Sequence, residues 1–397
     1  MKIGVITFLS GPAASPFGVP ARHAAEMVTE FLNAGTAPAP YSTKGFGGSK
    51  IELVIQDEAG GTTSVVTAFR DLVQRSNVDM VIGVIASGDC LAVAPVAEEL
   101  KRFTDIFDCG TPRLFEDASY KYVFRTGPTS TMESVAAALY LKEIKPDVKT
   151  IAGLNQNYAW GQDSWRDFEA SMKQVFPNVQ VKTSEMTQLF AGQYNAEIST
   201  LLGTKADVIL SSFWGGDLEA MLLQAAPRGL FKKSIGVLTT GETAMYKLAA
   251  QIPDGTIIGA RGTFGPYAPD TELSHWFSKP FMDRYHVPPN YPAYKMAMAI
   301  LGVKAAWEKA LAANGGKRPS NEQVAAAFEH STFEGPGGTV RMNLGKGHQA
   351  TMDMAYGMSK LVNGKMTVTN VKHYPADKMN PPEGVKSSDW IASGFKH

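Results

Sequence analysis

Two short stretches carry side chains suited to holding a small ligand: Ser87-Gly88-Asp89 and Cys109-Gly110-Thr111. A serine and a glycine just ahead of a helix offer a hydroxyl and backbone N–H groups, a ready receptor for a carboxylate. Thr111 would add a second hydroxyl. The plainer reading is that Ser87 or Asp89 only caps its own helix; Asp89 is the better cap, which leaves Ser87 facing outward. Three aromatics, Phe17, Trp160 and Trp214, each follow an apolar run. A ring in such a place is costly to leave wet, so it packs locally or closes on a ligand. Glu242, in Thr239-Thr240-Gly241-Glu242, could accept a hydrogen bond from a ligand ammonium; as an alternative it is the N-terminal acid of a helix over 243–250. Asp217, in Gly215-Gly216-Asp217, reads as a helix cap.

Signatures of catalysis are missing. There is no G-x-S-x-G elbow and no phosphate-binding loop. Gly345-Lys346-Gly347 resembles the start of a dinucleotide fingerprint, but it does not sit between a strand and a helix. Neither C-x-x-C nor H-E-x-x-H occurs, so no metal is expected, and no cofactor. None of the seven histidines falls in a candidate crevice loop, so a nucleophile–base pair has no support. Lys+Arg and Asp+Glu both number 38, and a net charge of zero argues against nucleic acid or an anionic membrane as partner. The two cysteines, Cys90 and Cys109, are either bridged in an oxidising compartment or two buried thiols.

The elements that must position these residues follow from apolar periodicity. At 397 residues, two domains of about 100–200 residues each are expected. Residues 80–84 form an apolar run suited to a strand buried on both faces. Residues 86–89 read as a turn, 91–101 as a helix and 103–107 as a second strand. The loops 87–89 and 109–111 then leave one edge of a parallel sheet, the crevice where open α/β sheets take ligands. With strands at 2–7 and 51–57 and helices at 20–32 and 63–76, residues 1–111 give a doubly wound unit. A second series starts near 150, with strands at 150–154, 180–185, 208–211 and 235–238. Residues 256–261 read as a strand leading back to the first domain, followed by helices at 271–285 and 291–312. In the latter, Met296, Ile300, Val303 and Trp307 recur at core spacing. Residues 333–342 are expected to be extended, 354–361 and 366–371 to pair around Asn363-Gly364, and the last 20 residues to be an irregular tail. No run approaches 18 apolar residues. The chain starts Met1-Lys2 without a visible secretory signal, which fits either a cytoplasmic protein or an engineered mature start.

Four stretches together resemble the periplasmic solute-binding proteins of the branched-chain amino-acid (Leu/Ile/Val) type, which serve ABC importers. They are the opening strand with Ser10-Gly11-Pro12 and Phe17-Gly18; Ile82-Gly83 through Ser87 to Ala94-Pro95; Trp160-Gly161-Gln162 before a Trp/Phe-bearing helix; and residues 207–211 with Trp214-Gly215-Gly216-Asp217 and Gln224-Ala225. The resemblance implies an α/β fold of two Rossmann-like lobes, with parallel doubly wound sheets joined by three crossovers (the type I periplasmic binding protein). The first lobe would hold 1–125 and 259–332, the second 126–258 and 333–397, with one ligand clamped between them by hinge closure. Ser87, Gly88 and Thr111 would hold a ligand carboxylate, helped by backbone at Cys109 and Gly110. Phe17, Trp160 and Trp214 would line the pocket where amino-acid binders often have tyrosines, and Glu242 falls near the acid that holds the ammonium. The Phe/Trp departures make the pocket more apolar, so an aromatic or other organic acid, or a short amide, competes with leucine. The partners implied are the small-molecule ligand and a permease in the inner membrane; the protein would be monomeric and periplasmic, and its missing signal would reflect an engineered start. Rival readings are an enzyme on a doubly wound fold and a regulatory subunit that senses amides or acids.

Overall fold

The computed structural model describes residues 1–396 and divides into two compact units, one built from 1–128 and 268–352, the other from 129–267 and 353 onward. The chain passes between units three times, after Pro128, Tyr267 and Met352.

The first unit is built on an eight-stranded sheet. Its parallel part runs, in spatial order, Val123–Arg125, Thr104–Ile106, Met80–Gly83, Lys2–Thr7 and Glu52–Asp57. The central strands Lys2–Thr7 and Met80–Gly83 are apolar and almost wholly buried, as parallel strands covered on both faces must be. Helix Thr62–Gln74 presents Val65, Phe69, Leu72 and Val73 to the core, each such side chain adding about 2 kcal/mol on burial. From Lys2–Thr7 the chain moves first to one side, to Glu52–Asp57, and then to the other, to Met80–Gly83. That reversal makes a topological switch point, where the carboxyl ends of neighbouring strands leave a crevice.

The second unit repeats the plan. Its seven-stranded sheet has Thr150–Gln156 flanked by Gln180–Thr187 on one side and by Val208–Ser211, Ile235–Leu238 and Ile257–Gly259 on the other, all parallel. The antiparallel hairpin Met354–Val362 and Lys365–Tyr374 completes it. Its switch point lies between Thr150–Gln156 and Val208–Ser211. In both units a glycine follows an aromatic just after the first strand, and its backbone lies against the strand end. A Cβ on Gly18 would come within 1.7 Å of the Phe8 carbonyl oxygen, and one on Gly161 within 1.9 Å of the Gln156 oxygen. Only glycine allows that approach, and it fixes where Phe17 and Trp160 stand.

The structure corrects several expectations. Residues 333–352, expected in the second lobe, belong to the first sheet: Thr332–Gly335 and Gly338–Leu344 form a hairpin, and Gln349–Thr351 pairs with Val123–Arg125. The return to the first unit comes after 267 rather than near 259, because Ile257–Gly259 pairs with Ile235–Leu238 and with Met354–Val362. Residues 86–89 are not a turn: the helix starts at Ser87 and runs to Glu99 with Pro95 inside it. Neither Asp89 nor Asp217 is an N-cap, since Ala86 and Trp214 hold those positions. The final residues are not all irregular. Helix Ser387–Ala392 packs on helix Ala159–Val175 because Trp390 and Ile391 bury there.

Candidate functional site

In the first unit the residues singled out by sequence gather at the switch point. Ser87 is the first residue of its helix; its hydroxyl accepts the Gly110 N–H at 3.3 Å. Its N-cap residue, Ala86, makes no side-chain cap, and the Asp89 and Cys90 N–H groups bond back to the Ala86 carbonyl, which leaves the Ser87 and Gly88 N–H groups at the positive end of the helix dipole. Gly88 is open: a Cβ there would meet only the Thr62 hydroxyl, at 3.9 Å. A disulfide joins Cys90, in the first turn, to Cys109 in the facing loop. The Thr111 hydroxyl accepts the Arg113 N–H at 3.3 Å. Phe17 lies in a wide helical turn, Ala14–Gly18, and meets Tyr291 edge to face with ring centres 5.3 Å apart.

Buried charges that sequence reasoning passed over hold both loops. The Glu58 side chain is fully buried and accepts the backbone N–H groups of Ile85 (2.7 Å) and Ala86 (2.8 Å), fixing the approach to Ser87. Burial pushes its pKa well above the usual carboxylate value, and the Asp89 carboxylate adds to the rise. Asp89 itself, pushed up to about 6 by burial, accepts the Thr62 hydroxyl. The buried Arg125 donates to the carbonyls of Cys109 (3.0 Å) and Thr111 (2.6 Å), and its Nε donates to Gln349. Arg125 thereby draws two carbonyl oxygens inward, away from where an anion would sit. Lys295 donates to Asp108 at 2.8 Å, both buried, and its ammonium lies 5.0 Å from the Tyr291 ring centre. Ser87, Gly88, Cys109, Gly110 and Thr111 thus form one cluster, and Phe17 joins it through Tyr291 and Lys295. The signal for Arg125 and Lys295 was a lone cation inside an apolar run.

In the second unit Trp160 and Trp214 come together through their loops. The Trp160 indole N–H donates to the Ser212 carbonyl at 2.9 Å, two residues ahead of Trp214. The Trp214 N–H donates to the Tyr158 hydroxyl at 2.7 Å, and its ring meets Phe190 at 5.3 Å. Neither ring sits in a loop free of structure: Trp160 is in the first turn of Ala159–Val175, and Trp214 caps Gly215–Ala225. The Arg261 guanidinium lies 4.2 Å from the Trp160 ring centre and pairs with Glu133. Glu242 is fully buried at the start of the short helix Glu242–Met245 and lies close to Gly265.

Among the described residues, no group of three or more His, Cys, Asp or Glu could hold a metal ion, and no helix is long and apolar enough to cross a membrane.

The family described as periplasmic binding protein matches residues 1–364. No curated protein matches the sequence. Solved structures share the fold. An ABC-transporter solute-binding protein from Rhodopseudomonas palustris BisB5, in complex with 3,4-dihydroxybenzoic acid, superposes with a TM-score of 0.80 at 18% identity, over 95% of this chain and 97% of that one. A solute-binding protein from R. palustris in complex with benzoate gives 0.79 at 20% identity, over 97% and 99%. A leucine-binding protein from Thermotoga maritima gives 0.78 at 18%, over 94% and 98%.

Proposed function

The chain belongs to the periplasmic binding protein family, and from that premise we propose that it is the substrate-binding component of an ABC importer, capturing a small solute that bears a carboxylate. The observation that carries this reading is the start of helix Ser87–Glu99: uncapped by any side chain, faced by a loop whose carbonyls are drawn away by Arg125, and tied to that loop by the Cys90–Cys109 bond. Ser87, Gly88 and Thr111 hold the carboxylate there, with the backbone of Cys109 and Gly110 around them. Trp160 and Trp214 supply an apolar surface from the second unit, and Phe17 supplies one from the first. A solute that contacts both units only when they close shifts the open–closed equilibrium by its differential affinity, and the closed form is what a permease in the inner membrane would receive.

Three aromatics, Phe17, Trp160 and Trp214, favour a solute that carries an apolar or aromatic body beside its carboxylate. Two similar structures hold benzoate-type acids and a third is of a leucine-binding protein, all solutes within the carboxylate-bearing class. A buried disulfide suits an oxidising compartment such as the periplasm. The role is binding without turnover, as a monomer.

A thermal-shift screen of amino acids, aromatic acids and amides tests the proposal. A ligand present at a hundred times its Kd adds about 2.7 kcal/mol of apparent stability. An aromatic acid that raises the melting temperature and is recovered unchanged is the expected outcome. A screen in which no carboxylate raises it, or in which the ligand is consumed, contradicts the proposal.

A further inference from the structure

Arg261 has no role in the carboxylate cradle, yet its guanidinium is held in the interior of the second unit. Its side chain is 5% exposed and that of its partner Glu133 2% exposed, with Nε donating to the carboxylate at 2.8 Å. A buried ion pair seldom repays its desolvation in stability alone, so its retention calls for another reason. The guanidinium lies 4.2 Å from the Trp160 ring centre, within reach of a cation–π contact that gains strength when water is excluded. The backbone of Arg261 has φ at 51°, in the left-handed region that few non-glycine residues enter.

The cluster draws on three separate pieces of chain. Glu133 lies just past the first passage between units, Arg261 just ahead of the second, and Tyr356 just past the third, its hydroxyl donating to the Glu133 carbonyl at 3.1 Å. Trp160 is fixed from its other end by the bond to Ser212. A ring clamped this way has little freedom left to lose when a flat solute arrives, which is how preorganisation raises affinity.

We propose that Arg261 is a positioning residue: held by Glu133, it sets the plane of the Trp160 ring against which the solute packs. This inference rests on the preceding reading that Trp160 lines the solute site.

Replacing Arg261 alone would strand a buried carboxylate, so the informative variant removes both charges, Glu133→Leu with Arg261→Met, and Arg261→Lys serves as the conservative partner. The readouts are the calorimetric Kd for benzoate, the cooperative melt, and the near-ultraviolet circular dichroism band of Trp160, identified by its loss in Trp160→Phe. The double variant is expected to melt in one transition, lose most of the Trp160 band and bind benzoate at least tenfold more weakly, with Arg261→Lys in between. Wild-type band and Kd within twofold, in whichever of the two variants folds, overturn the assignment. Should no aromatic or other carboxylate of the screen bind the wild type, the reading of the site falls, while an unchanged Trp160 band in the variants separately refutes the hold of Arg261 on the ring.

Discussion

The switch point of the first unit and that of the second share a plan and differ in what fills it. In both, an aromatic-glycine pair follows the first strand and a helix without a side-chain cap follows the strand beside it. In the first unit that helix opens with Ser87 and Gly88, and its surroundings are fixed by Glu58, Arg125, the Lys295–Asp108 pair and a disulfide. In the second, the N-cap is Trp214, and the neighbourhood is set by indole hydrogen bonds, ring contacts and the buried Arg261–Glu133 pair against Trp160. One edge is built to present N–H groups at fixed positions; the other is built to present flat apolar area. A carboxylate demands donors within a few tenths of an ångström, whereas an apolar body demands only matching shape; buried charges accordingly hold the loops of the first edge themselves, while in the second they brace the tryptophans, as the Arg261–Glu133 pair does against Trp160.

That contrast can be broken most forcefully at Lys295. Lys295→Met leaves Asp108 buried without its cation and is expected to cost about 3–5 kcal/mol of stability, read from denaturant unfolding; a loss below 1 kcal/mol would show that the edge does not depend on its charges. Next comes the covalent tie, which spans a separation of 19 residues. Replacing both Cys90 and Cys109 by alanine is expected to remove about 3 kcal/mol, measured by the same titration with and without reductant, and variants as stable as the parent would make the bond incidental. Ser87→Ala should weaken carboxylate binding by about 1–3 kcal/mol with little change in the melt; equal affinity would take Ser87 out of the cradle.

Two smaller effects sharpen the comparison. Burial raises the Asp105 carboxyl to about 8, against about 4 for a free aspartate. Below about pH 4 the folded and unfolded chains both carry the proton. From there up to 8 only the folded chain keeps it, so this group lowers stability by about 1.4 kcal/mol for each unit of rising pH. Asp105→Asn keeps an acceptor for Thr126 and should flatten the profile across that window; an unaltered slope would mean that Asp105 is ionised in the fold. In the second unit, Trp214→Phe loses one hydrogen bond to Tyr158, a cost of about 1 kcal/mol. A loss there as large as that of Lys295→Met would erase the distinction between the two edges.

Much of this was legible in the chain. Strand and helix alternation showed in the apolar spacing, and the loops holding Ser87, Thr111, Trp160 and Trp214 were placed at strand ends by that alternation alone. The start of the Ser87 helix was hidden because the small residues 86–89 read as a turn, although Gly88 there lies in the helix with room to spare. Residues 333–342 showed their extended character but not their sheet, since they join it through Gln349–Thr351, whose partner strand Val123–Arg125 lies more than two hundred residues upstream. The supporting charges were the least visible part. Glu58 meets Ile85 and Ala86, Lys295 meets Asp108, and Arg261 meets Glu133 only through tertiary folding. A lone cation in an apolar stretch, as at Arg125 and Lys295, hints at such pairs without naming the partner.

The central claim is that the first-unit cradle recognises a carboxylate. Calorimetric titration of matched acid and amide pairs, benzoic acid against benzamide and leucine against leucinamide, tests it directly. The account predicts that at least one acid binds and that its amide binds at least tenfold more weakly, about 1.4 kcal/mol. An amide that binds as tightly as its acid would contradict it.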